Sequence, residues 1–218
     1  MVGDRRITVA GYGSLLSEPS ARETAPELRN FTLCRIEGYQ RAFDKVAMVF
    51  FQRHGASEDR RDIAALSAFP KAGASMIGCR FDVAESDYLA IYEREHRYRW
   101  AYADTFALDG GEAVRARLAV STSDEDYRLN KCVTEAEYHH RVGRYYGGKL
   151  WRDDVLPFPT YLAHVLRAAR SAGDEVYANV LDTTWLADRR TSLRAYLAAN
   201  PAWEAAAGDT YSYLRRGV

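Results

Sequence analysis

Two short stretches hold residue types that can do chemistry: Tyr12-Gly13-Ser14-Leu15, and Arg94-Glu95 followed by Tyr98. In the first, a glycine turn sets a serine hydroxyl beside backbone N–H groups released at the end of an apolar run. That combination suits a carboxylate or an oxyanion. Most strand-Gly-Ser-Leu turns, however, are only turns. In the second stretch Glu95 is the informative residue. At about 100° per residue, Tyr88, Ile91, Tyr92 and Glu95 share one stripe of a helix expected over 84–96, and Glu93 points away. A carboxylate on a core-facing stripe loses hydration, which favours its neutral form and suits it to general acid or base work. A structural ion pair of Glu95 with Arg94, Arg97 or Arg99 is an equally open reading.

Other reactive residues offer less. Ser14 lies outside any Gly-x-Ser-x-Gly elbow, so it is not a marked nucleophile. The adjacent His139 and His140 diverge by about 100° on a helix and do not form a ligand pair, so no metal is expected. Cys34 and Cys79 fall in expected strands as buried thiols. With Cys132 they make an odd set without a CxxC pair, which points to a reducing, cytoplasmic setting.

Charge excludes some partners. Thirty basic residues balance thirty acidic ones, so no global field gathers nucleic acid or anionic lipid. The pairs Arg60-Arg61 and Arg215-Arg216 read as solvated surface. No stretch approaches the ~18 apolar residues of a membrane span, and the charges at the N-terminus have no apolar core behind them. Neither a span nor a signal peptide is expected.

The elements that must carry the two stretches follow from periodicity. Ile7 to Gly11 alternates as a first strand. The segment 16–29, with Pro19 and Pro26, reads as a loop with a short helical turn over a site. Phe31 to Phe43 reads as one bent strand or two strands joined at Gly38. After the apolar run 46–51, the Gly- and charge-rich segment 54–62 reads as an exposed hairpin or loop. Ile63 to Phe69 and Met76 to Val83, split by Pro70 and Gly73, read as a hairpin. Tyr98 to Leu108 and Ala113 to Val120 make a clearer one around Asp109-Gly110-Gly111. In the last third, Thr134 with Glu137 opens a helix to about Tyr145, and helical spacing recurs before Gly173 and before Asn200-Pro201. The class is α+β, with a strand-rich domain over 1–130 and a helical extension over 131–218 packed on it. Trp185, Tyr196 and Trp203 either pack that extension or form a dimer contact, which leaves a homodimer open.

Four stretches in register add a resemblance: Tyr12-Gly13-Ser14-Leu15, Gly38-Tyr39-Gln40-Arg41-Ala42-Phe43, Gly78-Cys79-Arg80-Phe81-Asp82-Val83, and Arg94-Glu95 with Tyr98. Together, over about residues 7 to 120, they resemble the gamma-glutamylcyclotransferase-like superfamily, in its ChaC-like and AIG2-like branch. The resemblance implies a small mixed β-barrel flanked by helices, with a cavity at the turn after the first strand. It implies a small-molecule γ-glutamyl substrate cyclised to 5-oxoproline with release of the amine, and no cofactor. Tyr12, Gly13, Ser14 and Leu15 would bind the glutamyl group, Glu95 would be the catalytic carboxylate, and Tyr98 would support it. Where the family often has Leu-Asp, this chain has Ile91-Tyr92. A non-catalytic binding or interaction protein, or an amide-cleaving enzyme, on the same fold are the competing readings.

Overall fold

The computed structural model describes residues 5–201. Trp203 and the Arg215-Arg216 pair lie outside the described residues. Strand β1, Arg6–Gly11, lies between β3, Ala64–Ala84, and β5, Val114–Val120. It is antiparallel to β3 and parallel to β5. The order continues through β4, Arg99–Ala107, to β2, Arg29–Val46, and β2 pairs back onto β3. The result is a closed, mixed, five-stranded barrel, which leaves no free edge among its strands. A short strand β6, Thr184–Leu186, adds parallel to β2.

Two long strands do much of this work, and here the sequence reading needs correction. Ala64 to Ala84 is one strand, not a hairpin, and it pairs with β2 along most of its length. Gly38, at φ 79°, interrupts β2 where the partners on β3 skip from Ser75 to Pro70. Pro70 and Gly73 therefore mark a bulge rather than a reversal. Closing a small barrel needs strands that bend, and the ladder tolerates a missing N–H only at such irregularities. Gly38 thus sits within a single bent strand.

The hairpin of β4 and β5 forms as the sequence predicts, with Gly110 and Gly111 both at positive φ. Helix α1, Glu18–Arg22, is the short helical turn expected after β1, and α2, Met48–Arg53, takes up the apolar run after β2. Helix α3, Glu85–Arg94, carries the Glu95 stripe, with Ala84 at its N-cap. Tyr88 and Ile91 are buried, and Glu93 is exposed.

In the last third, α4 is Asp124–Asn130, and α5, Glu135–Tyr138, is capped by Thr134, whose hydroxyl accepts the Glu137 N–H at 3.2 Å. A π-helical turn, His139–Gly143, continues α5, with both histidines exposed. Helices α6, Pro159–Ser171, α7, Asp174–Asp182, and α8, Leu193–Ala199, follow. The sequence reading contained neither α7 nor β6. These elements share the barrel's core: Phe158 stacks on Phe50 with centroids 4.1 Å apart, and Trp185 on β6 donates to Gln40 on β2 at 3.0 Å. Cys34, Cys79 and Cys132 are buried free thiols. Among the described residues, no helix is long and apolar enough to cross a membrane.

Candidate active site

The chain leaves the barrel at the end of β1 and turns at once into a 3₁₀ turn, Ser14–Leu16. Two close approaches fix this corner. A Cβ on Gly13 would lie 2.6 Å from the Tyr161 hydroxyl on α6, and one on Gly78 of β3 would lie 2.4 Å from the Gly11 carbonyl. The glycine at 13 is needed for contact with α6 rather than for a left-handed turn; its φ is −120°.

Arg41 braces the corner from behind. It is fully buried on β2, donating to the carbonyls of Ile77 at 3.0 Å and Tyr12 at 3.4 Å. It also reaches Asn179 Oδ1 and Thr183 Oγ1, at the end of α7, at 2.9 and 2.8 Å. Burial pulls its pKa down to about 9. With carbonyls and amides in place of a carboxylate, this guanidinium joins β2, β3, the turn and α7 through neutral acceptors.

Glu95 is the first residue past α3. Its N–H bonds the Ile91 carbonyl at 2.9 Å, and its own carbonyl accepts the Tyr98 N–H at 2.9 Å. The helix end and the tight turn after it therefore present Glu95 and Tyr98 on one side. The Glu95 side chain keeps 18% of its surface exposed. Arg94 is its ion-pair partner, with Nε 3.3 Å from Oε1, so the pairing left open by the sequence exists. The contact is one-pronged, because the other two nitrogens of Arg94 donate to Ser14 Oγ at 2.7 Å and Thr24 Oγ1 at 2.6 Å. Arg94 links Ser14 to Glu95 without enclosing the carboxylate.

Two concavities meet here. A crease of about 30 Å³, room for about one water, is bordered by Tyr12, Gly13, Ser14, Leu15, Glu95 and Tyr98. Next to it a cavity of about 420 Å³ shares Ser14, Glu95, Tyr98 and Tyr161 with the crease. All six residues expected at a site thus border one crease, and Ser14, Glu95 and Tyr98 also face a volume in the range of small-molecule sites. Tyr12, Gly13 and Leu15 border the crease alone.

The two phenols are acceptors towards this space. Tyr12 gives its proton to the Ala119 carbonyl at 2.7 Å, and Tyr98 gives its own to the Leu66 carbonyl at 2.6 Å. Burial, then the neighbouring Glu95 carboxylate for Tyr12 and the neighbouring Tyr12 phenol and Glu95 carboxylate for Tyr98, push both hydroxyls well above their usual pKa. A neutral phenol whose proton is committed presents lone pairs. With the Glu95 carboxylate they make a wall that can hold a cationic amine and take a proton from it.

Lys45 enters the larger cavity from β2 and was not singled out in the sequence. The signal was the charged pair Asp44-Lys45 inside the run Phe43 to Val46. Lys45 is buried, with Nζ 4.5 Å from the centre of the Tyr98 ring. Its pKa falls to about 7, chiefly by burial and then by the nearby Arg97, against the pull of Glu95 and Asp44. Among the described residues, no group of three or more His, Cys, Asp or Glu side chains is placed to hold a metal ion.

The fold recurs in solved structures. One, described as "Gamma-glutamyl cyclotransferase", aligns over 98% of this chain and 94% of its own at a TM-score of 0.51 and 12% identity. Another, the uncharacterized protein loc79017 from Homo sapiens, aligns over 98% and 93% with the same score and identity. No family model and no curated protein matches the sequence. The chain has the gamma-glutamylcyclotransferase-like α+β fold.

Proposed function

We propose that this chain, built on the gamma-glutamylcyclotransferase-like fold, cyclises a γ-glutamyl amide to 5-oxoproline and releases the amine, with Glu95 as the proton carrier. The observation that carries this reading is Glu95 in the wall of a 420 Å³ cavity, tied through Arg94 to the Ser14 turn and flanked by two acceptor phenols.

Glu95 takes a proton from the substrate's α-ammonium, and the freed amine attacks the γ-carbonyl carbon to close a five-membered ring. In the tetrahedral centre Glu95 gives this proton to the leaving nitrogen and then takes the second proton from the attacking nitrogen. The bond to the leaving nitrogen breaks, and the departing amine accepts that second proton from Glu95, giving 5-oxoproline and the amine as its ammonium without water and returning Glu95 to the carboxylate. Nucleophile and electrophile share one molecule, so the protein's largest task is to enforce the folded conformer, worth up to several kcal/mol. Tyr12 and Tyr98 suit the ammonium as acceptors, and Glu95 serves both proton steps.

The test is product identity. Purified protein incubated with glutathione, γ-glutamyl amino acids and γ-glutamyl amines is expected to release 5-oxoproline, read by mass spectrometry. Free glutamate instead would mean hydrolysis by the same cavity.

A further inference from the structure

The outside of the barrel carries a line of alternating cations and aromatic rings. Along β4, Trp100, Tyr102 and Asp104 face away from the interior that Ala103 and Thr105 fill, and Arg115 and Arg117 on β5 face out beside them. Tyr102 stands opposite Arg117, and Asp104 opposite Arg115. Helix α3 adds Tyr88 and Tyr92, and Lys131 follows the end of α4. Each member touches the next. Lys131 Nζ lies 3.9 Å from the centre of the Tyr92 ring, Tyr92 stacks on Trp100 at 6.4 Å, and Tyr88 meets Trp100 edge-on at 5.4 Å. The Arg117 guanidinium lies 4.8 Å from the Tyr88 ring and 5.7 Å from the Tyr102 ring, and that of Arg115 lies 4.7 Å from Tyr102. Trp100 also borders the crease, whereas Tyr102, Arg115, Arg117 and Lys131 border neither concavity of the candidate active site.

The cations of this line lack counter-charges. Lys131, Arg115 and Arg117 make no ion pair among the described residues; Lys131 donates to the Tyr92 hydroxyl, and Arg117 to the Tyr88 hydroxyl at 3.0 Å. Opposite charges across two strands stabilise by closing on each other, yet Arg115 lies over Tyr102 and leaves Asp104 unpaired. Glu85 and Asp87, in the first turn of α3, form no ion pair with Arg117 either. Tyr102 keeps 53% of its surface exposed, so its ring is open to a ligand. The balanced composition removes a long-range field but leaves this local excess of positive charge.

A chain that alternates anionic and flat groups is complementary to such a line. Single-stranded nucleic acid is a chain of that kind: its phosphates match Lys131, Arg117 and Arg115, and its bases stack on an open tyrosine ring or a guanidinium plane. A duplex hides its base faces, and an acidic peptide brings charge without planes. Asp104 favours ribose, because a carboxylate can only accept, and the 2′-hydroxyl is a donor that DNA lacks. We propose that the outer face of β4 and β5, extended by Lys131, docks single-stranded RNA, with a base on Tyr102, phosphates on the three cations and a 2′-hydroxyl on Asp104. The proposal is independent of the cyclotransferase reading. With about three phosphates neutralised, log K is expected to fall with log salt at a slope of about −2.

The experiment measures, by fluorescence anisotropy at about 50 mM salt, the binding of a labelled uridine octamer, its deoxyuridine counterpart, a GC-rich RNA duplex and an octaglutamate peptide. The wild type is expected to hold the uridine octamer more tightly than each of the other three. Tyr102→Ala is expected to weaken that binding by about 5–100-fold, the range of one lost stacked base, with the salt slope unchanged. Arg115→Gln is expected to weaken it and to make the slope shallower by about 0.7, the share of one phosphate. Both side chains are exposed, and circular dichroism checks that the variants fold. No saturable binding of the uridine octamer, equal binding of any of the three comparison ligands, or an affinity unchanged in either variant overturns the proposal.

Discussion

Arg94 donates a 2.7 Å hydrogen bond to the Ser14 hydroxyl, joining residues 80 positions apart and fixing the end of α3 against the turn that follows β1. The same side chain lies 3.3 Å from Glu95, so the position of the carboxylate relative to the turn depends on one guanidinium. The bond turns two separate stretches of sequence into one site.

Replacing Arg94 by Met removes that link and leaves Glu95 without its partner. We expect kcat to fall by about 10–100-fold, as a misplaced reacting group requires, with a smaller change in KM and a retained circular dichroism spectrum. Arg94→Lys keeps the charge but not the three-way reach, and its kcat should lie between the two.

Gly13→Ala sets a methyl 2.6 Å from the Tyr161 hydroxyl and must displace either the turn or α6. Overpacking of this kind costs about 1–3 kcal/mol. Turnover should drop with stability, and Tyr161→Phe in the same chain should recover part of both. A double variant no better than Gly13→Ala would assign the cost to the turn backbone instead.

Arg41→Met removes the brace behind the corner and takes a donor from the Tyr12 and Ile77 carbonyls and from Asn179 Oδ1, which keeps the Ile77 N–H at 2.7 Å. Breaking a buried network of this type costs about 3 kcal/mol. Urea unfolding should show a lower midpoint with an unchanged slope. An unchanged midpoint would mean that water replaces the guanidinium without loss.

Lys45 also sets a pH dependence of stability. Its pKa falls from 10.5 unfolded to about 7 folded, so the folded chain disfavours the proton. The favourable contribution of neutral Lys45 is complete above pH 10.5 and is lost as pH falls towards 7. Lys45→Met is therefore expected to be more stable than wild type at pH 7, by about 1–3 kcal/mol, with the gap closing as pH rises towards 10. A gap constant across that range would show that Lys45 does not titrate on unfolding.

Much of the fold was legible because its signals are local. Alternation marked β1, Asp109-Gly110-Gly111 marked the hairpin of β4 and β5, and helical spacing marked α3 and α6. The misreading of β3 has a physical cause: Pro70 and Gly73 look the same at a reversal and at a bulge, and only closure of the barrel selects the bulge. Helix α7 begins right after Gly173, which reads as the stop of α6. Glu95 could be found because it breaks an apolar helical stripe. Arg41 and Lys45 could not be assigned from sequence, because their partners come from the turn after β1, from β3, from α7 and its end, and from the turn after α3. A charge in a strand says nothing by itself of what surrounds it.

The most direct test of the central claim is the rate of 5-oxoproline release by the wild type and by Glu95→Gln, with γ-glutamyl substrate saturating and thermal unfolding as the control for folding. Glutamine keeps the shape and removes the proton carrier. A fall of about 10²–10⁴-fold in kcat with the unfolding temperature retained is expected; a folded Glu95→Gln protein that turns over at the wild-type rate would remove Glu95 from the proton transfers.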